Sequence, residues 1–209
     1  MKISHCAPLL FALSLSACSS LLNVQRQPFA IYSPQYTGVS ATGARVDWQL
    51  IVETPLASAT LQTPRMLVMP TPGVLEVFPG ARWSDSTPAL LRGLIVQGFQ
   101  ASQRIVGVGG AQSGMRADYA LAIELRDFQI EYRDGKPEAA IRFQANLLDY
   151  SSNRVLATQS FNAVAPAAAA DAANAFSAFQ TAINTVVPQL VDWTLNEGSA
   201  VHGKSASHE

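Results

Sequence analysis

The sequence predicts a single α/β domain, in which two main helices pack on a mixed β-sheet that contains an antiparallel meander. Segments with alternating apolar residues, typical of half-buried strands, recur along the chain. Two other segments repeat apolar residues every three to four positions, as helices that lie on a sheet do. The chain has 209 residues, and the part that follows a short N-terminal signal is long enough for one domain.

The first twenty residues have the pattern of a bacterial lipoprotein signal. Lys2 precedes an apolar segment of about eleven residues, whereas a membrane-spanning helix needs roughly twenty. The segment ends in Leu15-Ser16-Ala17-Cys18, which resembles a lipobox: an aliphatic residue and two small residues before a cysteine. We therefore predict a signal peptide over residues 1–17 and lipidation of Cys18; the alternative is an ordinary secretion signal that ends at a cysteine by chance.

The residues after the cysteine predict where the protein is held. Three acyl chains, palmitate among them, make attachment effectively permanent, whereas one chain of myristoyl size binds only marginally. Ser19 stands where enterobacterial lipoproteins of the inner membrane carry Asp, which indicates the outer membrane, facing the periplasm. Residues 18–43 are polar and turn-rich, and we predict a lipidated tether that could reach about 85 Å if fully extended. Within it, Phe29–Tyr32 is apolar enough to form a short edge strand.

Composition excludes several classes of function. The formal net charge is −1 without a basic patch, so we expect no nucleic-acid partner. Cys6 and His5 leave with the signal, Cys18 carries lipid, and His202 and His208 lie near the C-terminus. A body without histidine or thiol excludes His-based triads, cysteine nucleophiles and ordinary zinc sites, so we predict no catalytic residue, metal or cofactor.

The first half of the domain alternates between strands and a helix. Apolar alternation indicates three strands: Arg45–Thr54, Arg65–Met69 and Val74–Phe78. Thr87 as N-cap and Pro88 at the first helical position predict a helix start. A strand at Ile105–Val108 follows, so strand, helix and strand predict a right-handed parallel crossover.

The second half is a meander followed by a helix. After Asp127 the apolar positions change parity, which predicts a β-bulge there. Asp134-Gly135 marks a hairpin. An apolar stripe ends at Val191 and predicts the last helix, which Pro188 should kink or divide. The polar end predicts a disordered tail over residues 197–209, so the folded domain spans 44–196.

Three features of the sequence are candidate sites. The segment "GVGGAQSG" lacks the third glycine of a dinucleotide fingerprint, so it indicates a flexible strand connection. Within and beside it, Gly109, Gly110 and Met115 are candidate partner contacts. Trp83 favours a core anchor over a ligand-stacking residue. The carboxylates at 127 and 131 favour the solvent face of a bulged strand over an acid–base pair.

Several motifs occur in an order that resembles a known family. After the lipobox come "PRMLVMP", "GARWSDSTPALL", "ADYALAIELRDFQIEY", "AAIRFQANLLDYSSNRVLATQSF" and a final "LVDW". This order resembles the ABC-type transport auxiliary lipoproteins, the PqiC-like family, from Cys18 to about Trp193. The resemblance implies an anticodon-binding-like or TolB N-terminal-like arrangement over residues 44–196.

The resemblance also implies a function. The resemblance implies that this protein is the auxiliary component of an MCE-type ABC system, which moves phospholipid or sterol-like molecules between membranes. The auxiliary component would act by docking and not by catalysis. Expected partners are an MCE-domain protein, an ABC permease and an ATPase. Related lipoproteins also imply a ring-forming homo-oligomer. Only the lipid-bearing cysteine, Cys18, carries over as a functional residue.

The sequence allows two rival functions. A lipid-binding shuttle would hold one acyl chain in an apolar pocket lined by Leu94, Phe99 or Phe179. A cell-wall or lipid hydrolase is disfavoured because the body lacks histidine and cysteine.

Overall fold

The structure is a computed structural model that describes residues 29–38 and 43–206, so the predictions at residues 1–17 and at Cys18 lie outside the described residues. Nine strands of the described residues form one mixed sheet, and two helices pack on one of its faces. The strands are β1 (Ala30–Tyr32), β2 (Val46–Val52), β3 (Leu56–Ala57), β4 (Arg65–Thr71), β5 (Val74–Trp83), β6 (Ile105–Gly110), β7 (Tyr119–Arg133), β8 (Lys136–Asp149) and β9 (Val155–Pro166). The helices are α1 (Thr87–Ser102) and α2 (Ala172–Ala206), with a 3-10 turn at Ala111–Ser113. The predicted α/β class, with an antiparallel meander and two packed helices, is confirmed.

The sheet is organised on β7, a strand of 15 residues. On one side β7 pairs with antiparallel β8 from end to end. On the other side it pairs in succession with three parallel strands: β2 at Tyr119–Leu121, β3 at Glu124 and Leu125, and β4 at Gln129–Glu131. One half of the sheet, β6 and β2, therefore lies beside the start of β7, and the other half, β4, β5 and β1, lies beside its end.

A β-bulge keeps the apolar residues of β7 on the face that the helices cover. Leu125 pairs with Phe143 and Asp127 pairs with Arg142, so Arg126 is the extra residue of β7. If Arg126 were paired regularly instead of bulged, Phe128 would face away from the core. The predicted bulge near Asp127 is confirmed.

Aromatic side chains join the helices to the centre of this sheet. Phe179 of α2 stacks on Phe128 of β7 with ring centroids 4.8 Å apart. Trp83, at the end of β5, meets both rings edge to face and is 2% exposed, which confirms the predicted core anchor. Such buried aromatic contacts fix the position of α2 on the sheet.

The start of α1 differs from the prediction by one residue. Ser86 is the N-cap, and Thr87 is already helical, with Pro88 in the first turn as predicted. The Thr87 hydroxyl is buried and donates to the Thr63 carbonyl at 3.4 Å, so it holds a loop and does not cap the helix.

The predicted parallel crossover is wrong. The turn at Gly73, where φ is +82°, reverses the chain, so β5 runs antiparallel to β4. The strands β4, β7, β2 and β6 are all parallel, and β6 therefore runs opposite to β5 and pairs with β2. A strand–helix–strand pattern does not record the direction that the earlier hairpin imposes, and α1 here connects the two halves of the sheet.

Residues 29–38 lie on the domain. β1 pairs with β5, which confirms the predicted edge strand. The backbone N–H groups of Gln35, Tyr36 and Thr37 donate to side-chain oxygens on both helices at 3.1–3.2 Å. The predicted tether over residues 18–43 is therefore too long, because these hydrogen bonds hold part of it against the helices.

The predicted disordered tail over residues 197–209 is wrong for residues 197–206, which belong to α2. Gly198 is the reason: a Cβ there would lie 2.5 Å from the Trp48 ring, so only glycine lets the helix lie directly on the indole. One turn later, His202 Nδ1 lies 3.3 Å from the Tyr119 hydroxyl. Pro188 lies inside α2, so the helix is not divided there.

We predict that Gly198→Ala destabilises the domain by about 1–3 kcal/mol, because the added methyl group overpacks the contact with the buried Trp48 ring. Chemical denaturation measures the effect. Gly203→Ala is the matched control, since a Cβ there meets nothing within 4 Å and alanine favours the helix. Equal stabilities of the two variants would contradict the packing of the C-terminal helix on β2.

Candidate docking site

The predicted contact loop lies beside an edge of the sheet. β6 ends the sheet order, so one of its edges has no strand partner among the described residues, and Val106 on it is 52% exposed. Gly109 and Gly110 pair with Ile51 and Val52 inside β6. The prediction of a flexible connection is therefore wrong for these two glycines, which extend an edge strand.

Glycines let the following loop fold back against β6. A Cβ on Gly107 would lie 2.9 Å from Met115 Sδ, and a Cβ on Gly109 would lie 3.0 Å from the Ser113 side chain. At the end of the loop, Asp118 Oδ2 accepts a hydrogen bond from the Gln49 N–H at 2.8 Å. The edge strand and the loop thus form one preformed surface, to which Met115 contributes a half-buried thioether.

A cation marks the end of this edge strand. The Arg92 guanidinium of α1 lies over Gly110, where an added Cβ would be 3.2 Å from Nη1. The same Nη1 donates to Thr54 Oγ1 at 3.3 Å. We define the docking edge as β6 with the loop 111–118 and Arg92: open backbone groups, one exposed valine and a fixed positive charge. Such an edge can accept an added strand from a partner.

The carboxylates at 127 and 131 lie on the face opposite the helices, as predicted, and they are paired with a cation there. Arg142 Nη1 and Nη2 donate to Glu131 at 2.7 and 2.9 Å, and Nη1 also donates to Asp127 Oδ2 at 3.3 Å. Gln129, 2% exposed, donates to both carboxylates. These hydrogen bonds, above all that from Arg142, lower the pKa of Glu131 against its partial burial. The polar groups of this network satisfy one another, and the Glu131 carboxylate stays ionised at neutral pH.

The pocket expected for a lipid shuttle is filled. Leu94, Phe99 and Phe179 are each at most 1% exposed and belong to the core between helices and sheet. A cleft of about 530 Å³ lies elsewhere, between residues 43–46 and the C-terminal part of α2. There Arg104 Nη1 lies 2.5 Å from Asp192 Oδ1, so the cleft holds a balanced ion pair.

No group of three or more His, Cys, Asp or Glu side chains within residues 29–38 and 43–206 is placed to hold a metal ion. Neither helix of the same residues combines the length and the apolar character needed to cross a bilayer.

Comparison with known proteins gives a family profile and two solved folds. The profile of the ABC-type transport auxiliary lipoprotein component matches residues 29–191. A crystallised protein of Xanthomonas campestris from the family DUF330 is 35% identical, with a TM-score of 0.79, over 83% of this chain and 99% of that chain. A second crystal structure is 13% identical with a TM-score of 0.62, over 79% of this chain and 98% of that one, and it supports the fold alone.

The chain is also similar to a protein of Bradyrhizobium diazoefficiens, with 29% identity over 182 residues. The match covers 82% of this chain and 45% of that relative, so the chain spans less than half the length of the curated relative that it matches.

We predict that Arg142→Gln destabilises the domain by about 1–2 kcal/mol at pH 7, because two partly buried carboxylates lose their cation. The value is below that of a fully buried pair, since the Arg142 side chain is 29% exposed. The pKa of Glu131 is lower in the folded protein than its ordinary value of 4.5. The ionised carboxylate therefore stabilises the folded state above pH 4.5, and this stabilisation is lost as the pH falls through the folded-state pKa. The cost of the substitution should therefore shrink in acid.

Chemical denaturation of the wild-type protein and of Arg142→Gln between pH 7 and pH 3 measures how the cost of the substitution changes with pH. Arg126→Gln is the control, because Arg126 is half exposed and lies 3.7 Å from Glu124, and we expect a change within about 0.5 kcal/mol. A cost of Arg142→Gln that stays constant with pH would show that packing, and not the ion pair, sets it.

Proposed function

Because the chain belongs to the family of ABC-type transport auxiliary lipoprotein components, we propose that it is the outer-membrane auxiliary lipoprotein of an MCE-type system. The system would transport lipids, phospholipid or sterol-like, between membranes, and this chain would act by docking and not by catalysis. The family profile over residues 29–191 is the observation that carries the proposal. The membrane attachment that the family name implies would come from acyl chains on Cys18.

The N-terminal segment supports this arrangement. The described chain begins at Phe29, eleven residues after the lipobox cysteine, and continues directly into edge strand β1. At up to ~3.5 Å per residue, these eleven residues can span about 38 Å, less than half the reach expected of a tether that ends at residue 43. An anchor on Cys18 would therefore hold the folded domain close to the bilayer.

We place the contact with the transporter at the docking edge. Its open strand can accept a strand of an MCE-domain protein, since backbone hydrogen bonds supply affinity and neighbouring side chains supply specificity. Val106 and the Arg92 cation stand beside that edge. The permease and ATPase would lie at the other membrane and supply the energy. The homo-oligomer expected from the family resemblance stays a prediction.

We predict that Cys18→Ser abolishes membrane attachment, because the hydroxyl of serine does not receive the lipid that the thiolate does. Outer-membrane fractions and incorporation of labelled palmitate into the full chain measure the effect. Ser19→Ala, which keeps the thiol, is the control. An unlabelled wild-type chain that still fractionates with the outer membrane would contradict the anchor.

We predict that Val106→Arg lowers co-purification of the MCE-domain protein at least tenfold, because a bulky cation on β6 obstructs the added strand. Val155→Arg is the matched control: Val155 has the same 52% exposure but lies on β9, at the other side of the sheet. Equal losses from the two variants, with unchanged stability, would place the contact away from β6.

A further inference from the structure

The direction of β1 defines one end of the sheet. β1 runs parallel to β5, and Ala30 pairs with Ala81, so the N-terminal end of β1 points towards the β4–β5 hairpin. The outer edge of β5 over Val74–Pro79 continues towards that hairpin without a strand partner among the described residues. We call the end of the sheet at this hairpin the entry end, because the first described strand points its N-terminal end towards it.

Exposed apolar side chains are concentrated at the entry end. Ile31 is 65% exposed, and four others are 41–48% exposed: Phe29, Val74, Leu75 and Val77. Ile31 shares a face with Arg82, its partner in the pairing of β1 with β5, and Leu75 and Val77 lie on that same face of β5. We call these five residues the entry patch. They continue into a groove of about 430 Å³ beside Leu67.

A second hairpin extends the same end. Met69 of β4 pairs with Glu131 of β7, and the β7–β8 turn follows two residues after Glu131, so the two hairpin tips are neighbours. Tyr132, 36% exposed, precedes that turn, and Lys136 follows it. An aromatic residue and cations beside exposed aliphatic residues are typical of a surface that meets a membrane interface.

The cations of the entry end are available to a partner. The Arg82 guanidinium lies 4.3 Å from the centre of the Phe29 ring, so it is held on the patch. Among the described residues, no carboxylate lies within the 4.0 Å of an ion pair from Arg65, Arg82 or Lys136. The cations of Arg65, Arg82 and Lys136 can contact anionic lipid headgroups, and Glu76 and Asp134 at the same end carry the opposite charge.

We propose that the entry patch and the neighbouring hairpin tips rest on the surface of the bilayer that holds the anchor. This inference rests on the proposed acylation of Cys18. Eleven residues, about 38 Å at most, connect the acylated residue to Phe29 at this end. Because a short tether holds the domain near the bilayer, contact with the bilayer becomes an intramolecular event. The five apolar side chains of the entry patch are then enough to keep the domain on the bilayer surface, although they would bind it weakly without the tether.

This orientation points the docking edge away from the bilayer. β2, the partner of β6, pairs with Tyr119–Leu121 at the start of β7, whereas β4 pairs with Gln129–Glu131 near its end. Eight residues of strand, about 26 Å, separate the two pairings. Contact of the entry patch with lipid would thus fix the distance at which β6 meets the transporter.

Fluorescence quenching in vesicles tests the orientation. The full acylated chain with Thr71→Cys, at a hairpin tip, or Arg154→Cys, in the β8–β9 turn at the opposite end, is labelled with an environment-sensitive maleimide dye. Each is reconstituted into phosphatidylethanolamine–phosphatidylglycerol vesicles that contain acyl-chain-brominated lipid. Mass spectrometry of the same samples reports the acylation of Cys18 independently.

We expect at least threefold stronger quenching of the dye in the Thr71→Cys protein than in the Arg154→Cys protein. Adding Leu75→Asp and Val77→Asp should remove the difference, whereas Val155→Asp should leave it. Acylated protein with equal or absent quenching at both positions would overturn the inference and leave the anchor intact. A change in dye fluorescence that depends on protein concentration and not on brominated lipid would assign the entry patch to contact with a second copy of the chain. Cys18 found unmodified would remove the anchor itself. Each of these two results would also overturn the inference.

Discussion

The fold depends on the pairing of one long strand with three short ones. β7 carries β2, β3 and β4 in succession along one side, while β8 covers its other side throughout. A β-bulge at the extra residue Arg126 turns Phe128 and Ile130 to the face that the helices cover. The two halves of the sheet therefore share one core, although each half ends in an edge strand of its own.

This construction separates two surfaces along one axis. α2, with 35 residues and a length of about 52 Å, runs along the covered face and ends on Trp48 and Tyr119, near the start of β7. The network around Arg142 satisfies the buried polar groups of the opposite face close to the end of β7. In our account, the protein is a spacer: its N-terminal side meets the bilayer, and its β6 side meets the transporter.

The sequence predicted those elements whose signal is local. Alternation and parity located most of the strands and the bulge, and spacing located both helices. The direction of β6 relative to β5 was predicted wrongly, because it depends on the β4–β5 hairpin and on which strand offers β6 a partner. The helical end of α2 was missed because its signal is a single glycine opposite Trp48, which looks like a helix breaker until the contact is known.

The functional site, like the fold, was predicted from the sequence only where its signal is local. Three candidate contact residues were chosen from a glycine-rich segment, and the structure brings them together beside one edge but places two of them inside the strand. The pairing of Glu131 with Arg142 was missed, since the two residues are eleven positions apart on different strands. The entry patch could not be read from sequence at all, because Ile31 and Val77 become neighbours only through the pairing of β1, β5 and β4.

Photo-crosslinking in living cells tests the spacer account most directly. A photoreactive amino acid is placed at Val106 in one chain and at Thr71 in another, and the crosslinked products are identified by mass. The account predicts the MCE-domain protein at the first position and phospholipid at the second. Phospholipid at the first position, or the same protein partner at both, would contradict it.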